Sequence, residues 1–211
     1  MKRLSIIVPC YNEQETIDIY LQEMKKVESN MSLEFEYLFV NDGSKDDTLL
    51  RLKEAVNQYT NVNYISFSRN FGKEAALLAG LEAATGDLIT VMDVDLQDPP
   101  ELLPEMYEKI QEGHDIVGTR RSNRAGEPVI RSFFAKKFYQ IINRISDTEM
   151  VDGARDFRLM TRQVVDAILE LNEVNRFSKG IFSWVGFDTC YISYENRERS
   201  AGETTWNFWS L

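Results

Sequence analysis

The chain holds 211 residues, 43% of them hydrophobic, and carries a net charge of -10. That length suits one core-forming domain with at most a small appendage, and the acid excess excludes nucleic acid as the main partner. With one histidine, His114, and two distant cysteines, Cys10 and Cys190, there is little material for a histidine-rich zinc site, a histidine-based nucleophile triad or a disulfide. No run reaches the ~20 apolar residues of a membrane span, and no signal peptide is expected before Leu4.

Leu4–Val8 reads as a continuous apolar strand, and Glu15–Val27 has helical spacing through Ile17, Tyr20, Leu21 and Met24. A second strand is predicted over Phe35–Val40, a helix over Asp46–Val56 and a strand over Val62–Phe67. Lys73–Ala84 is rich in Ala and Leu and reads as a helix ended by Gly86. Leu88–Met92 is the next strand, Glu101–Gln111 the next helix, and Ile116–Gly118 a short strand before which His114 sits at the surface. Strands and helices alternating at this spacing predict an α/β fold with a mostly parallel central sheet covered on both faces. Such sheets bind ligands at the carboxyl ends of their strands. Pro9–Glu13, Asn41–Ser44, Ser68–Phe71 and Asp93–Asp98 fall there. Gly-x-Gly-x-x-Gly after the first strand and Gly-x-x-x-x-Gly-Lys-Ser/Thr are both missing, which weakens dinucleotide-dehydrogenase and P-loop readings.

The most informative stretch is Asp93-Val94-Asp95-Leu96-Gln97-Asp98-Pro99-Pro100. A buried strand that delivers two carboxylates one residue apart to its C-terminal edge can hold a hard divalent cation, Mg²⁺ or Mn²⁺, with substrate phosphates completing the shell. The plainer alternative is a strand-to-helix turn with Asp as cap and Pro-Pro opening the helix.

From about Arg121 the chain changes character. Arg120, Arg121, Arg124, Arg131, Lys136, Lys137 and Arg144 are opposed only by Glu127. Such a basic island suits a phosphate ligand or an anionic membrane surface; a solvated helix face fits the charge equally. Residues 128–145 have helical spacing, with Phe133, Phe134, Phe138, Ile141 and Ile142 on one side and cations on the other. This is the pattern of an interfacial helix, though a core helix with a basic outer face fits nearly as well. The segment Trp206-Asn207-Phe208-Trp209-Ser210-Leu211 is aromatic, and the native chain is expected to continue, into membrane helices absent from this one.

Six blocks now stand in order: Val8–Glu13, Val40–Thr48, Ser68–Glu74, Asp93–Glu101, Arg155–Leu159 and Arg197–Thr204. Together they resemble the family-2 glycosyltransferases of GT-A fold, in the polyprenyl-phosphate branch of dolichol-phosphate mannose synthases and bactoprenol (undecaprenyl-phosphate) glucosyltransferases. The resemblance spans essentially the whole chain and implies a single catalytic domain. Residues 1–119 would form the nucleotide-sugar half and 120–211 the acceptor half with its basic amphipathic helix. It implies that Pro9, Tyr11, Asn12, Glu13 and Lys73 line the nucleotide pocket. Asp42 would accept a hydrogen bond from the base, or cap a helix in Asp-Gly-Ser. Asp93 would lie near sugar and ribose, and Asp95 with Gln97, beside Asp93, would hold the metal on the diphosphate. Asp156 occupies the catalytic-base position. A lipid phosphate has its second pKa near 6, so a base has little proton to remove; Asp156 could instead orient Arg155, Arg158 or the sugar, or form a structural ion pair with one of those arginines. Arg120, Arg131, Arg197 and Arg199 are candidates for acceptor phosphate or diphosphate. Many relatives carry Lys where this chain has Thr205, which leaves the assignment of Thr204 and Thr205 open.

What the resemblance implies is an inverting, metal-dependent transfer of a hexose, with UDP-glucose the favoured donor, to undecaprenyl phosphate at the cytoplasmic face of a bacterial membrane. The pathway would be cell-wall or polysaccharide biosynthesis, with homo-oligomers possible in the full-length form. Alternatives are GDP-mannose or UDP-GlcNAc/GalNAc as donor and a glycan or protein as acceptor. A processive synthase is disfavoured because Gln-x-x-Arg-Trp is missing, and a nucleotidyltransferase because Pro9–Glu13 is not a basic glycine-rich loop. The rival of another class is a non-catalytic module that binds nucleotide or membrane and regulates a partner.

Overall fold

The computed structural model describes residues 1–122, 151, 153–171, 173 and 176–195. Seven strands form one sheet: β1 (Arg3–Cys10), β2 (Glu34–Asn41), β3 (Val62–Ser66), β4 (Leu88–Val91), β5 (Ile116–Arg121), β6 (Ala154–Thr161) and β7 (Thr189–Tyr194), in the order β3-β2-β1-β4-β6-β5-β7. The described helices are α1 (Ile17–Glu28), α2 (Thr48–Gln58), α3 (Lys73–Ala83), α4 (Leu103–Gln111), α5 (Arg162–Leu169) and α6 (Ser178–Trp184). A single 3-10 turn, Pro100–Leu102, precedes α4.

The strands are parallel except β6, which runs antiparallel to both β4 and β5. Period-two geometry sends neighbours on a strand to opposite faces. Ile6 joins one apolar layer with Tyr20 of α1, Leu52 of α2 and Met106 of α4. Ile7 joins the other with Leu77 of α3, Val165 of α5 and Phe182 of α6. Leu159 and Met160 of β6 split in the same way. Both faces are therefore dry, which is why β1 reads as an apolar run, broken only by the buried and hydrogen-bonded Ser5, and not as an alternating one. Tyr20 and Phe39 meet edge to face at 5.9 Å between centroids. Gly80 brings α3 onto β1: a Cβ there would lie 2.3 Å from Ile7 Cγ2.

The predicted elements of the first 111 residues are all present, with ends moved by one or two residues. The short strand expected at Ile116–Gly118 runs on to Arg121, since it is sandwiched between β6 and β7. β6, α5, α6 and β7 were not predicted. The amphipathic segment 128–145, Arg131, Arg197, Arg199, Thr204, Thr205 and the aromatic stretch 206–211 lie outside the described residues. Among the described residues no helix is long and apolar enough to cross a membrane. Cys10 and Cys190 are free thiols.

Candidate active site

The loops after β1 and β2 interlock. Asn12 N–H donates to Ser44 Oγ (2.9 Å), Lys45 N–H to Asn12 Oδ1 (2.8 Å) and Glu13 N–H to Thr48 Oγ1 (2.8 Å). Asn12 has φ 55, a left-handed conformation that asparagine tolerates. The Glu13 carboxylate accepts Thr16 Oγ1–H at 2.9 Å. Pro9, Tyr11, Asn12 and Glu13 are all half-buried along this rim. Asp42 is buried, and its two carboxylate oxygens accept the N–H groups of Phe71 (2.6 Å) and Gly72 (2.9 Å). The helix-cap alternative for Asp42 is thus replaced by a different structural role, holding the loop before α3. The α2 helix begins only at Thr48. Each oxygen keeps a lone pair for a further donor. Gly43 allows this crossing: at φ +63, a Cβ would lie 2.2 Å from the Arg69 carbonyl carbon.

The loop after β4 is pinned at both ends. At its start, Lys73, the first residue of α3, places Nζ 2.7 Å from Asp93 Oδ1 and 2.7 Å from Asp156 Oδ2. Burial alone would push the Lys73 ammonium down, but the two carboxylates outweigh it and hold its pKa well above the ordinary lysine value. Burial likewise favours neutral Asp156, yet the charges of Lys73 and Lys179 and the Lys73 hydrogen bond win and keep its carboxyl well below the usual range. The ion pair anticipated between Asp156 and Arg155 or Arg158 is not what forms. Arg158 is buried, donates to the carbonyls of Arg155 (2.8 Å) and Asp156 (3.4 Å), and lies 3.9 Å over the Phe182 ring. Arg155 turns to Asp98.

At the far end of the loop, Asp98 Oδ1 accepts Arg155 Nε–H at 3.0 Å and the Tyr194 hydroxyl. The Asp98 side chain is 1% exposed. Burial and the adjacent Asp98 push Tyr194 up to about 12. Between the pins, Asp95 Oδ1 accepts Gln97 N–H (3.1 Å) around Leu96, which sits at φ 57. A left-handed leucine costs of order 1–3 kcal/mol and persists only where the surroundings impose it. Gln97 Oε1 lies 3.5 Å from Arg121 Nη2. Arg120 is exposed near the end of β5 and donates from Nε to Ser193 Oγ at 2.8 Å.

The fold therefore brings Asp93, Lys73 and Asp156 together at the carboxyl edge of β4, with Asp95 following on the same loop. Sequence reasoning missed that Lys73 bridges the two carboxylates and that Asp98, Tyr194 and Arg155 brace the loop. Asp98 was visible as the third acid of Asp93-x-Asp95-x-x-Asp98; nothing in the order of residues points to Tyr194, 96 positions away.

The profile described as Glycosyl transferase family 2 matches residues 5–169. The chain belongs to that family. It is 44% identical over 209 residues to the prophage bactoprenol glucosyl transferase homolog of Escherichia coli (strain K12), with 99% of this chain and 68% of that protein aligned. It is 47% identical over 208 residues to CsbB of Bacillus subtilis (strain 168), covering 99% of this chain but only 63% of CsbB. Among solved structures, glucosyl-3-phosphoglycerate synthase from Mycobacterium tuberculosis in complex with Mn²⁺ and UDP-glucose superposes with a TM-score of 0.58 at 18% identity, over 96% of this chain and 72% of that one. The expected GT-A architecture is thus the observed one.

Proposed function

We propose that this chain is the catalytic part of a polyprenyl-phosphate glycosyltransferase that moves one hexose, with UDP-glucose the favoured donor, to undecaprenyl phosphate with inversion at the cytoplasmic face of a membrane. The observation that carries the proposal is the convergence of Asp93 and Asp156 on one lysine, Lys73, at the carboxyl edge of β4, with Asp95 two residues beyond Asp93. The names of the aligned relatives support a polyprenyl acceptor. A phosphate oxygen of the acceptor forms the new bond to the anomeric carbon as the bond to the nucleoside diphosphate breaks.

Residues 1–119 hold the nucleotide sugar in this reading, with Pro9, Tyr11, Asn12, Glu13 and Asp42 around the nucleotide, and 120–211 supply the acceptor side, Arg120, Arg131, Arg197 and Arg199 included. Among the described residues no group of three or more Asp, Glu, His or Cys could enclose an ion. The all-oxygen pair Asp95 and Gln97 nevertheless suits Mg²⁺ or Mn²⁺, which accept one or two protein ligands when substrate phosphates complete the shell. Held there, such an ion would supply positive charge for the departing diphosphate. Asp93 would add a further carboxylate beside Asp95 and Gln97, one of its oxygens being taken by Lys73. Asp156, held ionised, orients the sugar or the acceptor and has no proton to remove from an already ionised phosphate.

The test is transfer of radiolabelled sugar from UDP- and GDP-sugars into organic-extractable undecaprenyl phosphate, in detergent, with Mn²⁺, Mg²⁺ or EDTA. The expected outcome is label in the lipid phase from UDP-glucose, abolished by EDTA. Label that never enters lipid while the donor is hydrolysed would reject the acceptor, and transfer indifferent to EDTA would reject the metal.

A further inference from the structure

Lys73, Arg158 and Lys179 act on Asp156, and Arg155 is its chain neighbour; three of these four cations have their donors engaged. Lys73 is shared between Asp93 and Asp156. Arg155 is bound to Asp98. Arg158 is held by two backbone carbonyls and the Phe182 ring. The side chain of the fourth, Lys179, has no hydrogen bond or ion pair among the described residues, although the residue is half-buried and its charge is felt at Asp156.

The position of Lys179 is built, and not left to a free surface side chain. It is the second residue of α6. One residue before it, Ser178 is gripped by Glu74 of α3, whose Oε2 accepts the Ser178 N–H at 3.0 Å and also its hydroxyl. Three residues after it, Phe182 is fully packed beneath Arg158. Residues three apart share a helix face, so Lys179 lies on the side of α6 that faces β6 and Asp156. Successive residues of α3 thus do complementary work: Lys73 joins the carboxylates, and Glu74 seats the helix that carries the unpartnered cation. Burial draws Lys179 below the ordinary lysine value, and the like charges of Arg155, Lys73 and Arg158 add to that, against the pull of Asp156. A bound anion would relieve both.

We propose that Lys179 is a phosphate ligand at the transfer point, binding an anionic phosphate oxygen of the acceptor or of the donor diphosphate. The proposal rests on the glycosyl-transfer reading above. An ammonium group is a compact point charge that binds phosphate without needing the paired geometry of a guanidinium. Both substrates of that reaction present such an oxygen next to the sugar carbon that Asp156 serves.

The test compares wild type, Lys179→Met and Lys179→Arg in two binding measurements that need no turnover. One is calorimetric titration of UDP with Mn²⁺; the other is binding of undecaprenyl phosphate in detergent micelles. Loss of one charge-assisted hydrogen bond predicts about a tenfold or greater weakening of one of these in Lys179→Met, with recovery in Lys179→Arg. Weakening confined to the lipid assigns the acceptor phosphate, and weakening confined to UDP assigns the donor diphosphate. Unchanged binding of both in a Lys179→Met protein with the wild-type unfolding midpoint overturns the proposal. If that variant is unstable, Lys179→Arg decides: weakened binding of both ligands and no selective effect identifies a structural lysine and likewise overturns it. A wild-type protein that binds neither ligand is a different result, since it removes the glycosyl-transfer reading itself.

Discussion

In the loops after β1 and β2, Asp42 and Asp46 are held by backbone amides, whereas where β4 meets β6 Asp93, Asp98 and Asp156 are held by side-chain cations. Asp42 accepts from Phe71 and Gly72, and Asp46 from the N–H groups of Gln14 and Thr48. Asp93 and Asp156 instead share Lys73, and Asp98 holds Arg155. The difference separates shape from chemistry. An amide cannot leave its carboxylate without remodelling the loop that carries it, so the first set fixes the rim. A lysine or arginine side chain can turn to a new anion, so the second set can exchange partners, as the proposed phosphate substrates would require.

The sharpest way to break this comparison is to remove a cation from the buried set. Arg155→Met leaves the Asp98 carboxylate, 1% exposed, with Tyr194 as its one side-chain partner among the described residues. Breaking such a pair costs about 3 kcal/mol, which for a chain of this size lowers the unfolding midpoint by roughly 10 °C. Replacing both partners, as Asp98→Leu with Arg155→Met, is expected to recover most of that loss, because no charge is then left buried alone. Thermal melts of the two single variants and the double variant measure it. Equal losses in the Arg155→Met and double proteins would show that the pair is not coupled.

The amide-held set predicts a smaller effect. Asp42→Asn keeps the shape but offers one oxygen where the carboxylate offers two, so either Phe71 or Gly72 loses its acceptor. The expected cost is about 1–2 kcal/mol, read as a lower urea midpoint with unchanged slope. A loss as large as that of Arg155→Met would erase the distinction between the two sets.

These two sets also differ in how far the sequence announces them. The first half repeats strand, helix, strand at short spacing, and local periodicity suffices to order β1, α1, β2, α2, β3, α3 and β4 and to place Asp42 and Asp93–Asp98 at the strand ends. The second half depends on an antiparallel strand inserted between β4 and β5. No short-range signal marks that insertion: β6 starts in Ala154-Arg155-Asp156, which reads as polar until Arg155 and Asp156 find Asp98 and Lys73 across the sheet edge. The same holds for Lys179, whose surroundings come from Glu74 and Arg158, distant in sequence. Residue types marked Asp95 and Asp156 as candidates; Lys73, which holds Asp156 ionised, was invisible because that contact is tertiary.

The smallest expected effect concerns pH, and it tests whether Asp156 moves a proton. Its pKa is depressed in the folded chain, so the stability it contributes is fully present above the unfolded carboxyl value of about 3.9 and is lost only as pH falls through the lower folded value. Across pH 5–8 it therefore contributes no slope to the unfolding midpoint. The acceptor phosphate, in contrast, takes up its second proton near pH about 6. Activity against pH should thus show an acid limb near that value, set by the acceptor, and the limb should stay in place in the residual activity of Asp156→Asn. A limb that disappears in that variant would assign the proton to Asp156 and would mean that Lys73 releases it when the substrates bind.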